Sequence, residues 1–339
     1  MLGQLGKDTF GLLDRRFVMN AFLPALILVG SVAILAMVWW NGAATSSRTW
    51  DRLTPTAKGL VITGVVLLAG VLANVVAAHT STLISWYEGH WRSPIGLRVA
   101  KAGRRWHRRR LERLDPADPA DYERIHHTYP LPSRPDDVQA TRLGNILRNA
   151  ELYPYDRYGI DAAIVWPRLH PLLPPELTAP LSAAKADLEF QLVVSTLSAV
   201  FSVIAGVLAL AAGESPGVFL ACYWGGGLLA WAAYVGALRS ARLYGMRVKV
   251  AFDLYRGALL DRLDPSEPDR GEERWRRLAL WWYRGLPPDA DLLDEDLPAS
   301  PAAGTTTARR RLRLPAIPLT GWIALAALCT GLLALTFLP

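Results

Sequence analysis

Long uncharged runs alternate with charge-rich stretches along the chain. Five runs carry no Asp, Glu, Lys or Arg: 17–40, 59–83, 190–212, 217–238 and 319–338. An α-helix needs about 20 apolar residues to cross the ~30 Å hydrocarbon core of a bilayer. The first four runs meet that length, and the fifth, rich in Ala and Leu, just reaches it. The pattern predicts an all-α polytopic membrane protein: two transmembrane helical hairpins plus a C-terminal transmembrane helix, with a cytoplasmic helical domain. The divisions are a polar N-terminus (1–16), a first hairpin (17–83), a polar helical region (84–189), a second hairpin (190–238), a second polar region (239–286), a tether (287–318) and a last span (319–339). The first apolar core is longer than the roughly 7–15 residues of a signal peptide. Trp39 and Trp40 close it as interfacial aromatics do, so it reads as an uncleaved anchor.

The polar regions have their own periodicity. Residues 84–114 read as a helix leaving the second span. A Pro- and Asp-rich connector, "DPADPADYERIHHTYPLPSRP", follows over 115–135. Val138, Leu143, Ile146, Leu147 and Ala150 then recur at helical spacing, with Asp136 or Asp137 available as the cap. Pro154 is expected to end that helix after Tyr153, and Pro167, Pro171, Pro174 and Pro175 to keep the next elements short. From Glu176 a long helix should enter the third span, with a kink at Pro180. After the fourth span, Leu243, Met246, Val250, Phe252, Leu254, Leu259 and Leu260 mark a partly buried helix. Trp275, Leu278 and Trp282 share a face with Arg274, Arg277 and Arg284 nearby, a pattern that fits an interfacial helix or core packing. The two polar regions also share a motif: Arg113-Leu114-Asp115-Pro116 and Arg262-Leu263-Asp264-Pro265, each with a further acid and Pro. This suggests a parallel repeat, or one helix-stopping device used twice.

Charge orients the pattern. The net charge is +7, and Lys7, Lys58, Lys101, Lys185 and Lys249 are the only lysines. The 41–57 connection carries only Arg48 and Arg52, and the 213–216 turn has no basic residue. Sixteen basic residues fall in 91–186 and fifteen in 239–318. The positive-inside rule therefore places the N-terminus and both large connections in the cytoplasm, and the C-terminus outside a bacterial inner (plasma) membrane.

Candidate chemistry is sparse. Cys222 and Cys329 both lie in apolar runs, which excludes a disulfide framework and a Cys-rich zinc site. His126 and His127 are adjacent, whereas a helical metal pair wants i, i+4 spacing. No G-x-S-x-G, H-E-x-x-H, P-loop or G-x-G-x-x-G occurs, so no catalytic, metal or cofactor-binding residue is assigned and no cofactor is expected. Three groups remain as candidates. Tyr153, Tyr155, Arg157, Tyr158, Asp161, Trp166 and Arg168 form a dense aromatic and charged stretch, read as a packing knot or as the docking surface for a cytoplasmic protein. Arg104, Arg105, Arg108, Arg109 and Arg110 follow the second span and suit anionic membrane lipids, or serve only as a topology signal. Asn74 and His79 are the intramembrane polar candidates within the second run, where an Asn more often bonds to another helix than lines a pore. Nucleic acid is not an expected partner, because no binding module accompanies the arginines.

The segments "YPYDRYGIDAAIVWPRLHPLLPPEL" and "YGMRVKVAFDLYRGALLDRLD" resemble multi-pass membrane proteins of GC-rich Gram-positive bacteria, a group with no established activity. The resemblance implies an envelope location and no particular chemistry. The function expected from these features is a non-catalytic membrane-anchored scaffold or sensor that docks a partner and self-associates as a homo-oligomer. A channel or transporter built from the two hairpins is the alternative, and a membrane enzyme acting on a lipid the third reading.

Overall fold

The computed structural model describes residues 17–263 and 271–284, and every regular element among them is helical. Four helices are long and apolar enough to cross a membrane: Val18–Asn41, Pro55–Ala78, Pro175–Ala211 and Pro216–Leu263. The polar N-terminus (1–16), the expected tether (287–318), the expected last span (319–339) and the second Asp-Pro motif lie outside the described residues.

A π-helical turn, Val18–Phe22, leads into α1, Leu23–Asn41. Gly42, at φ +74°, ends it and starts α2, Ala43–Arg52. Helix α3, Pro55–Ala78, begins before the second apolar run and stops within it. His79 leaves helical geometry (φ −107°, ψ 12°), and α4, Thr80–Tyr87, resumes. Next come α5, Pro94–Leu111; α6, Pro119–Thr128; α7, Arg142–Tyr158; and α8, Ala162–Leu169. The last three are α9, Pro175–Ala211; α10, Pro216–Leu263; and α11, Glu272–Arg284.

The helices pack as two compact units, and α9 and α10 contribute residues to both. The first unit holds described residues 17–77 and 194–231. Its interior mixes Ala and Ser with Leu and Val, among them Leu28, Val32, Leu197 and Leu208. Ala69, Ala73 and Val76 of α3 are buried, while Asn74 and Ala77 are exposed. Between α9 and α10, Ser195 Oγ donates to the Ala230 carbonyl at 2.9 Å, and Ser202 Oγ donates to the Tyr223 carbonyl. Of the three consecutive glycines, Gly226 makes the close approach: a Cβ there would lie 2.7 Å from Ser202 Cβ. Hydroxyls bonded to carbonyls across small-residue contacts are how helices associate where apolar burial gives no driving force.

The second unit holds described residues 78–193, 232–263 and 271–284. The two polar regions, distant in sequence, therefore build one body. Phe252 sits at the centre of its largest core, with Ile160, Val165, Leu169, Leu260, Trp275 and Leu278. A second core joins Leu143 and Ile146 to Leu188, Leu192, Ala237 and Ala241. A third gathers Leu111, Ile125, Tyr129 and Val138.

Three local expectations change, and one open choice is decided. First, residues 84–114 are two helices, not one. The chain turns at Gly89 (φ +91°), and the Ser93 side chain caps α5 by accepting from Gly96 N. The turn is pinned by α7: Thr141 Oγ1 donates to the Tyr87 carbonyl at 2.7 Å, and a Cβ on Gly144 would lie 2.5 Å from the Glu88 carbonyl oxygen. Second, the cap of α7 is Thr141, whose side chain accepts from Gly144 N at 3.0 Å. The two aspartates belong to a preceding 3-10 turn, Pro135–Asp137. Fully buried Asn145 fixes the segment between, accepting from Gln139 N and donating to the Gln139 and Thr141 carbonyls. Third, α7 runs through Pro154 to Tyr158 and ends on left-handed Gly159. The lost backbone bond is offset by side chains on either side of the proline, since the Tyr153 and Tyr158 hydroxyls both donate to Asp253. Of the two readings open for α11, burial favours core packing: Trp275, Leu278 and Arg274 are buried.

Candidate functional site

The aromatic stretch serves the interior of the second unit. Asp253 on α10 accepts from Tyr153 Oη at 3.1 and 3.0 Å and from Tyr158 Oη at 2.7 Å. Arg256 stacks on the Tyr158 ring, 3.9 Å from its centre. Burial, helped by the Asp253 carboxylate, pushes the Tyr153 hydroxyl up to about 12, so it remains a donor at any physiological pH. Asp161 caps α8, accepting from Ala163 N at 2.9 Å. Trp166 packs against Phe252, and Arg168 lies over the Trp282 ring at 4.2 Å. Tyr155 carries Arg134 on its face at 4.8 Å, and that arginine also pairs with Asp156 at 2.8 Å. Arg148 pairs with Asp137 and Glu151. Among the seven candidate docking residues, Arg157 and Arg168 are the exposed ones.

The basic candidates lie on α5, which has two opposed faces. Ala100, His107 and Leu111 are buried. His107 Nδ1 meets the Tyr129 hydroxyl at 3.0 Å. Burial, then Arg110 and Arg142, hold the imidazole down at about 4, so it is neutral at physiological pH. Ile95, Val99, Ala102 and Trp106 are exposed on the opposite side. They fall at i, i+4, i+7 and i+11, a single helical stripe. Exposed Arg98, Arg105 and Arg109 border one edge of the stripe, and Arg110 borders the other, 5.3 Å over the Trp106 ring. Arg104 is half-buried, and Arg108 pairs with Asp136 at 3.0 Å. The arginines alone do not reveal this arrangement, because the exposed apolar stripe could equally have been the buried face.

Sequence reading passed over a cavity of about 230 Å³ between α6, α7 and α10. Its floor forms where α7 and α10 nearly touch: a Cβ on Gly245 would lie 3.0 Å from Ala150 Cβ. Arg242, Met246, Lys249 and Asp253 of α10 line it at near-helical repeats, facing Asn149 and Tyr153 of α7 and His126 and His127 of α6. Lys249 is only 8% exposed. Its Nζ donates to Asn149 Oδ1 at 2.5 Å and to the His126 carbonyl at 3.2 Å, with the Tyr153 ring 5.1 Å away. Burial pulls the Lys249 ammonium down to about 8 against the opposing pull of Asp253. Burial, then Lys249, His127 and Arg157, also lowers His126. One of only five lysines in an arginine-rich chain, seven residues after Arg242, was the available signal.

Asn74 is exposed on α3, facing away from the buried alanines, and His79 marks the break between α3 and α4. Among the described residues, no three His, Cys, Asp or Glu side chains come together as a metal site would require. No family model, curated protein or solved structure matches the chain.

Proposed function

We propose that this is a non-catalytic, membrane-anchored scaffold or sensor whose charged helical unit works against the inner face of the plasma membrane. The observation that carries the reading is α5. It presents Ile95, Val99 and Trp106 to the outside between arginines, with its buried face turned to the core. An apolar stripe bordered by Arg is the composition of a helix lying in the interfacial plane of an anionic bilayer. Each basic residue near such a surface adds about 1 kcal/mol of attraction. In this reading the four apolar helices form two transmembrane hairpins, and the arginine imbalance keeps both polar regions cytoplasmic. Arg157 and Arg168, exposed on the same unit, are the contacts left for a cytoplasmic protein partner. The outward position of Asn74 supports self-association in the membrane over conduction, since a polar amide on an apolar helix seeks a partner on another helix.

Orientation is the test. With Cys222 and Cys329 replaced by Ser, a single cysteine at exposed Ser133 should resist a membrane-impermeant thiol reagent on intact cells and react once the cells are opened. Labelling of intact cells would overturn the reading.

A further inference from the structure

The cavity beside Lys249 has more donors than acceptors. Arg242 Nε is buried and has no hydrogen-bond partner among the described residues. Lys249 uses two of its three ammonium protons, on Asn149 and the His126 carbonyl. The carboxylate in the lining, Asp253, already accepts from two tyrosine hydroxyls. Asn149 is already engaged at both ends, its Oδ1 accepting from Lys249 and its Nδ2 donating to the Tyr129 carbonyl. The surrounding field is positive: Arg142 and Arg239 both act on Arg242, opposed by Glu123. A buried donor without a partner is costly, more so when it carries charge, so an arrangement of this kind is stabilised by an anion.

We infer that this cavity binds a phosphate group, held between Arg242 and Lys249 with His126 and His127 at its rim. The two cations are two helical turns apart on one face of α10, about 10 Å along the axis. Their long side chains can converge on one tetrahedral oxyanion, and its several lone pairs match the separate donors better than a single carboxylate does. The phosphate belongs to a soluble phosphate ester or to a lipid headgroup, and both present the same oxyanion to these side chains. The inference stands apart from the surface role of α5, whose exposed arginines do not line the cavity.

The test uses the full chain in phosphatidylcholine nanodiscs. Melting temperature is followed against inorganic phosphate, with chloride adjusted to constant ionic strength. A second series uses nanodiscs of equal parts phosphatidylcholine and phosphatidic acid. Saturable stabilisation by inorganic phosphate points to a soluble ester, and stabilisation by phosphatidic acid alone points to a headgroup. Either effect should weaken at least about tenfold in Arg242→Gln, the loss of one charge-assisted hydrogen bond. It should weaken likewise in Met246→Glu, which keeps both cations and adds a carboxylate at a half-exposed lining position. Arg105→Gln, on the outer face of α5, should leave it intact. No saturable effect in either series, or an effect that survives both cavity variants, would overturn the inference.

Discussion

Replacing Lys249 with methionine separates the electrostatics of the cavity from its packing. An unfolded lysine holds its proton up to about 10.5, whereas the buried one releases it near 8. Between those values the unfolded chain binds more protons, so wild-type stability rises with pH. The whole shift corresponds to about 3 kcal/mol, and about 2 kcal/mol of it accrues between pH 7 and 9.5. Tyr153, raised to about 12, and the other raised tyrosines, Tyr129, Tyr158 and Tyr244, oppose this trend chiefly above about pH 10, and they do so equally in the variant. Lys249→Met should abolish the rise. At pH 7 the variant gains by no longer burying a charge, but it orphans the Asn149 and His126 acceptors at about 1–3 kcal/mol each. The two effects nearly cancel, so its midpoint at pH 7 should stay close to wild type. The assay is unfolding of both proteins in a zwitterionic detergent, every half unit from pH 7 to 9.5. Parallel curves for the two proteins would refute the reasoning.

Acid should act chiefly through His107, with His126, also lowered, adding in the same direction. The His107 pKa of about 4 in the folded chain lies below the unfolded 6.5, so stability should fall as pH drops from 6.5 to 4, by up to about 3 kcal/mol, and His107→Gln should make that limb of a pH–stability curve clearly shallower. Asp253→Ala leaves two tyrosine hydroxyls without their acceptor and should cost about 3 kcal/mol in chemical unfolding, with Asp253→Asn intermediate. Gly226→Val forces a side chain into Ser202 and should cost about 1–3 kcal/mol, read as a lower melting temperature, while Gly225→Ala, with nothing within 4 Å, should be tolerated. Asn74→Leu should shift the purified chain toward monomer in mild detergent, measured by light scattering with the detergent contribution subtracted.

The alternation of apolar and charged blocks made the helical class and four of the apolar helices legible, because a bilayer-length run without charge has few other uses. The aromatic stretch was legible as a packing knot, since tyrosine, arginine and carboxylate at high density satisfy one another. Its partner was not: Asp253 lies about a hundred residues downstream on a helix read only for its apolar residues. The start of α7 was misplaced because Asp136 and Asp137 are good caps in isolation, and only the buried Asn145 and the contact with Tyr87 favour Thr141. Pro154 was given its usual local weight, which the tertiary bonds to Asp253 overrode. The break after Tyr87 rests on close backbone approach at Gly144, a long-range contact without local signature. The cavity escaped notice for the same reason: Arg242, Lys249 and the two histidines are brought together only by the packing of three helices.

The surface role of α5 is tested most directly by depth. A nitroxide on a single cysteine at position 99, in a chain with Cys222 and Cys329 replaced by Ser, is compared with one at position 104 toward the opposite side of the helix. The chain is reconstituted in vesicles of phosphatidylcholine mixed with phosphatidylglycerol, and collisions with lipid-soluble oxygen and a water-soluble nickel chelate are measured. The account predicts oxygen-dominated relaxation at 99 and chelate-dominated relaxation at 104. Equal chelate access at both positions would contradict it.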